Sequence, residues 1–328
     1  EAVCPRFSSG DGKGLIKSSI RGDDLFILCD VGNYSCTYNY FGRENSMSPD
    51  DHYQDLKRII QAAGGKAHRI NIIMPSLYGG RQHRRNYRES LDCAVALQEL
   101  QAMGVSNILT FDAHDPRVQN AVPLMGLDNI IPSYQVLKAM FKNLSDFRPD
   151  KDHFMIISPD EGAINRNMYY ASVLGVNLGM FYKRRDYSTI IDGRNPIVAH
   201  EYMGNDVAGK DVFIADDIIS SGESMLDIAV ELKKRKANKI YCYATYPIFT
   251  NGLEAFNKAY ADGIIDGVFG TNLTYRTPEL LSSPWFYEVD CSKYIAYFIA
   301  SLNHDKSISQ VIDPHTKIEA LLKKYGIK

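Results

Sequence analysis

An apolar run followed by two carboxylates and a serine-rich turn stands at residues 212–225, V-F-I-A-D-D-I-I-S-S-G-E-S-M. The run predicts a buried strand with Asp216 and Asp217 at its carboxyl end, where open α/β sheets bind their ligands. Apolar residues spaced i, i+3, i+4 and i+7 from Met225 predict a helix directly after the turn. The unpaired N–H groups of a helix start and the serine hydroxyls bind phosphate, and carboxylates accept hydrogen bonds from sugar hydroxyls. The segment therefore predicts a sugar-phosphate site, although an ordinary strand with a serine N-cap would be preferred if it stood alone.

Four arginines lie within eight residues of the first half of the chain, at Arg81, Arg84, Arg85 and Arg88. A guanidinium binds phosphate with two parallel N–H donors, so this loop is suited to clamp a polyphosphate. A solvated basic loop has the same composition. Both interpretations stay open at this level.

Two further segments carry candidate catalytic or metal-binding side chains after strand-like runs. Asp112 and His114 are two residues apart, and the alternation of a strand predicts that they point to the same face. Such a pair is either a structural histidine with its carboxylate or part of a metal site. The triplet K-R-R at 183–185 is, by itself, typical of a solvated turn. The polar stretch 186–205 after it predicts a long mobile loop of the kind that often forms a lid.

Strand-like runs alternate with helix-length segments along the chain, which is typical of a mostly parallel sheet covered on both faces. The predicted strands are 25–29, 70–74, 108–111, 154–157, 178–182, 212–215, 240–244 and 268–270. The predicted helices are 51–63, 89–103, 134–143, 221–234 and, near the end of the chain, 317–325. The order strand, acidic turn and helix occurs near both Asp112 and Asp217, as two related halves would show. We therefore predict an α/β fold with domains at 1–132 and 133–300 and a C-terminal segment, 301–328, that packs back on the protein.

Bulk composition excludes several classes of protein. A chain of 328 residues exceeds what one core usually supports, which agrees with two domains. The formal net charge of −2 argues against a general nucleic-acid-binding surface. No apolar stretch approaches the ~20 residues of a membrane span. The six cysteines include no C-x-x-C pair, as in reduced cytosolic proteins. We expect a cytoplasmic protein that binds neither nucleic acid nor membranes.

Seven short segments, taken in order, carry a resemblance to one enzyme family. They are Arg81-Gln82, L-T-F-D-A-H at 109–114, I-I-S-P-D-E-G at 156–162, F-Y-K-R-R-D at 181–186, the segment 212–225, Y-A-T-Y-P-I-F at 243–249 and S-I-S at 307–309. The segment 212–225 resembles the ribose-phosphate signature of phosphoribosyltransferases and ribose-phosphate diphosphokinases (PRPP synthetases). The other six resemble the diphosphokinases alone. The resemblance extends from about Arg6 to Ser309, so it covers nearly the whole chain.

The resemblance implies two related phosphoribosyltransferase-like domains that transfer the diphosphoryl group of Mg-ATP to the 1-hydroxyl of ribose 5-phosphate, giving PRPP and AMP. It implies that Lys183 and Arg185 are catalytic and stabilise charge on the transferring group. Mg²⁺ is the implied cofactor, with His114 and Asp160 as its ligands. The implied ATP-binding residues are Phe7, Ser9, Asp11, Arg81, Gln82 and His114. The implied ribose 5-phosphate-binding residues are Asp216, Asp217, Ser220, Ser221, Gly222, Glu223 and Ser224.

The resemblance also implies an assembly, because in the family the segment around Phe7 places an aromatic ring against the adenine bound to a neighbouring subunit. We therefore expect a homo-oligomer with shared active sites. The chain departs from the family pattern at three notable positions. His83 stands where the family usually has Asp, Glu223 replaces a glycine of the phosphate turn, and Ser220 alters the start of that turn.

Two alternative functions stay open. A phosphoribosyltransferase that uses PRPP would keep the segment 212–225 but has no need of Arg81-Gln82 or of the K-R-R triplet. A catalytically silent regulatory homologue is suggested by the departures at positions 83, 220 and 223. The retention of Lys183 and His114 argues against that second alternative.

Overall fold

The computed structural model describes residues 1–185 and 197–327, with the side chains of 183–185, 197–200 and 310 left out. Two units can be distinguished along this chain. Unit 1 consists of Glu1–Pro132, Leu273–Tyr275 and Ser292–Ile312, and unit 2 consists of Ser133–Asn272, Arg276–Cys291 and Asp313–Lys328. Each unit therefore combines segments that are distant in the sequence.

Strands and helices alternate through most of the described chain, as the sequence predicts. The strands are β1 (Ala2–Val3), β2 (Leu15–Ile16), β3 (Asp24–Leu28), β4 (Thr37–Tyr40), β5 (Arg43–Ser46), β6 (Arg69–Ile73), β7 (Asn107–Phe111), β8 (Gly126–Ile130), β9 (Phe154–Ser158), β10 (Asn177–Arg185), β11 (Ile197–Met203), β12 (Asp211–Ile219), β13 (Ile240–Pro247), β14 (Gly267–Thr271) and β15 (Phe286–Val289). The α-helices are α1 (Pro49–Ala63), α2 (Asp92–Ala102), α3 (Ser133–Asn143), α4 (Ile164–Leu174), α5 (Glu223–Lys234), α6 (Glu254–Ala261), α7 (Pro278–Ser282), α8 (Ser292–Asn303), α9 (Ser309–Ile312) and α10 (His315–Lys324), and a 3₁₀ helix spans Pro116–Ala121.

Unit 1 contains a four-stranded parallel sheet in the order β3-β6-β7-β8. The apolar faces of two helices pack in its core. Leu56 and Ile60 of α1 and Leu97 and Leu100 of α2 belong to the same buried cluster as Ile72 of β6. Burial of these side chains is the main favourable term that stabilises the sheet.

Helix α1 begins and ends with local signals that the sequence carries. Ser48 and Asp51 form a capping box, in which the Ser48 side chain accepts from the Asp51 N–H and the Asp51 side chain accepts from the Ser48 N–H. Gly64 ends the helix in the left-handed conformation, with φ of 57°. These signals explain why the prediction at 51–63 lies within two residues of the observed bounds.

Unit 2 contains a seven-stranded sheet in the order β11-β10-β9-β12-β13-β14-β15. Its neighbouring strands are parallel except for β11, which pairs antiparallel with β10 at the edge. All eight residues of the central strand β13 are buried. The predicted stripe of α5, formed by Met225, Ile228, Ala229 and Leu232, is buried in the same core. The spacing of that stripe is therefore confirmed as the face that packs on the sheet.

The C-terminal helix α10 also packs within unit 2. Its residues Ile318, Leu321 and Leu322 are buried, and the ring of Tyr325 stacks on Phe141 of α3 with centroids 4.4 Å apart. The apolar spacing of the predicted helix 317–325 is therefore explained by packing on the protein's own chain.

Three sequence predictions about the elements need correction. Strand β12 continues to Ile219 instead of ending at residue 215, because its last residues still pair with β13. The predicted loop 186–205 contains strand β11, whose backbone pairs with β10, while residues 186–196 lie outside the described residues. The sequence reading also missed the edge strands β8 and β15. Both are short and carry polar residues, so they lack the apolar signal of a central strand.

The predicted α/β class with mostly parallel sheets is confirmed. None of the helices in the described ranges is long and apolar enough to cross a membrane. All six cysteines are free thiols, and Cys36 among them is exposed.

Candidate functional site

The strand order of the unit 2 sheet reverses between β9 and β12. From β9 the chain passes through α4 to β10 on one side, and from β12 it passes through α5 to β13 on the other. The loops that follow these two neighbouring strands therefore leave the sheet in opposite directions. Open parallel sheets bind ligands at this point, outside the carboxyl ends of the strands.

Asp216 and Asp217 lie in the second half of β12, beyond the residues that pair with β9. The pKa of Asp216 is raised well above its ordinary value. Burial is the larger cause, and the neighbouring carboxylate of Asp217 is the second. The Arg166 guanidinium opposes this rise from a distance of 3.5 Å between its Nη1 and Asp216 Oδ1. Asp217 is buried and Asp216 is half-buried. Adjacent carboxylates withdrawn from water are costly for folding, which is typical of a binding site rather than of a surface turn.

Arg166 is a site residue that the sequence reading missed. Its side chain is buried, and it shares one face of α4 with the buried residues Tyr170 and Leu174. A charged residue at an apolar position of a helix needs a buried partner of opposite charge. That irregularity in the helical pattern is the signal that would have indicated a buried acidic partner for Arg166.

Asp160 follows β9 and faces the same end of the sheet. Its Oδ1 accepts a hydrogen bond from the Ala163 N–H at 3.1 Å, and its carbonyl accepts one from the Ser158 hydroxyl at 2.8 Å. The Asp160 charge contributes to the raised pKa of Asp216. Asp160 and Asp216 are therefore brought into one electrostatic environment, as residues of one site would be.

The predicted phosphate turn lies between β12 and α5. Gly222 is the N-cap residue of α5, with φ of 83° and no side-chain cap hydrogen bond. The interpretation of this turn as a serine N-cap is therefore wrong. A Cβ atom at Gly222 would lie 2.3 Å from Cε2 of Phe256, so both the backbone conformation and the packing require glycine. Gly222 provides no capping side chain, and the Glu223 N–H makes only a long bond of 3.5 Å to the Ser221 hydroxyl, so this helix start is suited to an anion.

The backbone of the turn is held by the connection after β13. The carbonyl of Ser220 accepts from the Thr250 N–H at 2.9 Å, and the carbonyl of Ile219 accepts from the Ile248 N–H at 3.0 Å. Glu223 and Ser224 are exposed, and Ser221 is half-buried. Glu223 thus occupies the favourable first turn of the helix on the solvent side, as its sequence position indicates.

The predicted face shared by Asp112 and His114 is not observed in unit 1. Strand β7 ends at Phe111, and Asp112 adopts a left-handed φ of 41°. Asp112 is buried, while His114 is exposed. The alternation of a strand does not continue through a left-handed residue, which is why the prediction is wrong.

The arginine loop 81–90 is closed by Gln82, whose Nε2 donates to the carbonyls of Arg84 and Ser90 at 3.1 and 2.9 Å. All four arginines of the loop are exposed. Gln82 therefore shapes the loop while the guanidiniums face solvent. This arrangement fits both a polyphosphate clamp and a solvated basic loop.

His83 brings this loop to the end of β7. Its Nε2 lies 3.4 Å from Oδ2 of Asp115, and its ring centroid lies 5.2 Å from that of His114. Burial lowers the pKa of His83. Hydrogen bonds from Arg117 lower the pKa of Asp115 to about 2. The carboxylate that faces His83 is therefore that of Asp115.

The segment around Phe7 forms a tight turn in unit 1. The Phe7 N–H donates to the Asp11 carbonyl at 2.7 Å, and the Ser9 hydroxyl donates to Asp11 Oδ2 at 2.8 Å. The Phe7 side chain is 54% exposed. The turn thus presents an aromatic ring to solvent next to two polar side chains.

The predicted catalytic side chains of Lys183 and Arg185 lie outside the described residues. Their backbone belongs to β10 and pairs with His200 and Ile197 of β11. Their catalytic role stays a prediction.

A cavity of about 520 Å³ in unit 1 lies away from these residues. It is located at the amino ends of β3 and β6, the opposite end of the sheet from His114. Its wall is an ion-pair network in which Arg69 bonds to Asp24 and, at 2.6 Å, to Asp305. The network ties α8 to the sheet, which is a structural role.

Comparison with known proteins identifies the family. The model of the N-terminal domain of ribose phosphate pyrophosphokinase matches residues 1–104, and the phosphoribosyl transferase domain matches residues 127–264. The ribose-phosphate pyrophosphokinase of Shewanella oneidensis is 28% identical, over 94% of this chain and 90% of the relative. That of Vibrio cholerae is 27% identical, over 95% and 91%. The solved phosphoribosylpyrophosphate synthetase of Mycobacterium smegmatis aligns with a TM-score of 0.74 at 20% identity, covering 93% of this chain and 91% of that chain.

The fold is an α/β fold of two phosphoribosyltransferase-like domains. The chain belongs to the ribose-phosphate pyrophosphokinase family of transferases, for which diphosphokinase is another name. The predicted family, fold class and enzyme class are confirmed.

Proposed function

We propose that this protein transfers the diphosphoryl group of ATP to the 1-hydroxyl of ribose 5-phosphate and so forms PRPP and AMP. The single observation that carries the proposal is the turn between β12 and α5. There, Asp216 and Asp217 lie near the carboxyl end of β12, and a short turn connects this strand to the glycine-capped start of α5. Membership in the ribose-phosphate pyrophosphokinase family supports the same reaction.

In this proposal the turn binds ribose 5-phosphate. Hydroxyls of Ser220, Ser221 and Ser224 and the N–H groups at the start of α5 donate to the 5-phosphate. The carboxylates of Asp216 and Asp217 accept hydrogen bonds from the ribose hydroxyls. In this arrangement donors surround the phosphate, the carboxylates of Asp216 and Asp217 contact the sugar, and the exposed Glu223 side chain lies on the solvent side.

ATP binding is assigned to residues of unit 1. Arg81 and its neighbouring arginines contact the polyphosphate with paired donors, and Gln82 maintains the loop through its two carbonyl contacts. His114 contacts ATP as well. Phe7, together with Ser9 and Asp11, binds the adenine in a neighbouring copy of the chain, so the proposal includes a homo-oligomer with shared sites.

The reaction itself is an in-line displacement. The 1-oxygen of the ribose forms a bond to the β-phosphorus of ATP, the bond from that phosphorus to the α,β-bridging oxygen breaks, and AMP leaves. The proton of the 1-hydroxyl passes to solvent. Phosphoryl chemistry of this kind needs positioning and charge stabilisation more than a covalent nucleophile. Lys183 and Arg185 are proposed to stabilise the charge on the transferring group.

The donor set fits Mg²⁺ held jointly with a substrate. The described ranges contain no group of three or more His, Cys, Asp or Glu side chains that would hold a metal ion without help. Mg²⁺ usually keeps several waters and binds one or two carboxylates plus substrate phosphates, and the half-buried carboxylate of Asp160 is such a ligand. Asp160 and His114 are the proposed ligands. When bound, the ion neutralises charge on the triphosphate.

The test is an assay of AMP formation from ATP with and without ribose 5-phosphate, with the sugar product followed by ³¹P NMR. The proposal expects AMP only when the sugar is present, together with PRPP in equal amount. Consumption of PRPP with a nucleobase would instead identify a phosphoribosyltransferase. A folded protein with neither activity would identify a silent homologue. The cytoplasmic location is part of the proposal and is checked by fractionation of the native cells.

A further inference from the structure

His83 stands at the junction between the arginine loop and the end of β7. It follows Gln82 directly, its side chain is 13% exposed, and its Nε2 faces Oδ2 of Asp115 at 3.4 Å. Its ring lies against the ring of His114, with centroids 5.2 Å apart and an angle of 54° between the ring planes. One side chain thus contacts both segments to which ATP binding is assigned.

The carboxylate that His83 faces is held in place. Arg117 donates its backbone N–H and its Nε to Asp115 Oδ1, each at 2.9 Å, and its Nη2 to Asp115 Oδ2 at 2.5 Å. Asp115 is also buried and is the N-cap of the 3₁₀ helix. Because Asp115 cannot turn away, the group at position 83 must be compatible with a fixed negative charge.

We propose that His83 is a positioning residue for ATP, which holds the Arg81-Gln82 segment against His114 through its contact with Asp115. This role rests on the proposed function. An N–H group beside the Asp115 carboxylate is favourable, while a second carboxylate at the same 3.4 Å would be repelled. The side chains at positions 83 and 115 are therefore complementary, a donor facing a carboxylate. An Asp at position 83 cannot replace the histidine in this role.

The test compares four variants in their KM for ATP and for ribose 5-phosphate. His83→Asp should raise the KM for ATP about tenfold, because the new carboxylate would be repelled by Asp115 and would displace the Arg81-Gln82 segment. The KM for ribose 5-phosphate should stay within about twofold. Asp115→Ser keeps an N-cap side chain but removes the facing charge, so it should raise the KM for ATP more weakly. The double variant His83→Asp with Asp115→Ser should recover most of the loss, and His83→Gln, which keeps a donor, should stay close to wild type.

A matched control is available in His153, which faces Asp150 at 2.8 Å on an exposed turn of unit 2. His153→Asp creates the same like-charge pair away from the loop and should leave the KM for ATP unchanged. Thermal unfolding by circular dichroism verifies that each variant is folded. If His83→Asp does not fold, the test uses Asp115→Ser and His83→Gln. Of these two variants, only Asp115→Ser should weaken ATP binding.

Titration calorimetry with a non-hydrolysable ATP analogue separates the possible failures. A wild-type protein that binds the analogue, with His83→Asp and Asp115→Ser equal to it, would overturn the positioning role alone. A loss in His83→Asp without recovery in the double variant would also overturn it, because the two positions would then act independently. A wild-type protein that binds no analogue would overturn the proposed function, and the role of His83 with it.

Discussion

The amide of Asn167 joins the loop after β9 to the strand that carries Asp216. Its Nδ2 donates to the carbonyl of Ala215 at 2.8 Å and to the carbonyl of Ala163 at 2.9 Å, and its side chain is fully buried. Ala215 directly precedes Asp216, and Ala163 donates its N–H to Asp160. Asn167 therefore fixes the spacing between the two acidic segments of the site.

Replacement of this amide by an apolar group of similar size should weaken the site. Asn167→Leu removes the side-chain donor of the Ala215 carbonyl, while the Ala163 carbonyl keeps its bond from the N–H of residue 167. The free energy of unfolding should therefore fall by ~1 to 3 kcal/mol and the KM for ribose 5-phosphate should rise. Denaturant unfolding and steady-state kinetics measure the two effects. Asn143→Leu is the control, because Asn143 is exposed and its Nδ2 bonds only within its own helix, to Ala139. Equal effects of the two substitutions would contradict the joining role.

Gly222→Ala should lower the stability of the protein by more than the cost of placing alanine in a left-handed backbone conformation. The new Cβ would lie 2.3 Å from the Phe256 ring, and overpacking of this kind costs ~1 to 3 kcal/mol beyond the conformational cost of ~1 kcal/mol. Gly209→Ala is the matched control, since its φ is 74° and no atom lies within 4 Å of the added Cβ. Thermal unfolding of both variants, with calorimetric titration of ribose 5-phosphate, checks the difference. Identical losses in stability would show that the Phe256 contact relaxes.

The half-buried Asp216 carboxylate should lower stability at neutral pH. Its pKa is higher in the folded than in the unfolded protein, so its contribution to stability is present below the ordinary carboxyl pKa and is lost as pH rises through the folded value. The amide of the Asp216→Asn variant cannot ionise, so this variant does not lose that stability as the pH rises. The unfolding temperature of Asp216→Asn should exceed that of wild type by an amount that grows from about pH 4 upward.

Asp227→Asn is the control for this prediction, because Asp227 is an exposed carboxylate on α5 of the same unit. Its unfolding temperature should follow the wild type at every pH. A difference between Asp216→Asn and wild type that does not vary with pH would contradict the raised pKa. The stabilised Asp216→Asn should bind ribose 5-phosphate more weakly, as expected when a site residue is retained at a cost in stability.

Lys183→Ala and Arg185→Ala should each lower kcat by ~10² to 10³, the usual cost of losing one preorganised donor to transition-state charge. The KM for ATP should change less, because such a donor acts mainly in the transition state. Lys138→Ala, at an exposed lysine of α3, should leave kcat unchanged. Near wild-type turnover in both variants would show that the catalytic assignment is wrong.

The shared-site proposal predicts complementation between chains. Phe7→Ala should weaken ATP binding, since stacking of an aromatic ring on a base contributes ~1 to 3 kcal/mol. If Phe7 acts on the site of a neighbour, mixing Phe7→Ala with Lys183→Ala after dissociation should create some sites without either defect. Recovered activity is the expected result. Additive low activity at every mixing ratio, with subunit exchange verified by mass spectrometry, would mean that each chain completes its own adenine pocket.

The sequence by itself determined the features that depend on neighbouring residues. The apolar spacing of α5, the capping box of α1 and the central strands were all predictable, because local periodicity and burial act over a few residues. The order of short motifs was sufficient to predict the family and the fold class. The turn between β12 and α5 was predictable for the same reason, since Asp216 to Ser224 are contiguous in the chain.

Only the tertiary structure decided which distant groups meet. Arg166 contacts Asp216, and His83 contacts Asp115, because the order of strands in each sheet places their loops side by side. Strand β11 forms by backbone pairing at a sheet edge. The residue types of this segment did not predict a strand. The left-handed Asp112 interrupts an alternation that the sequence predicted. Contacts of this kind depend on packing across the whole unit, and no local pattern of residue types contains that information.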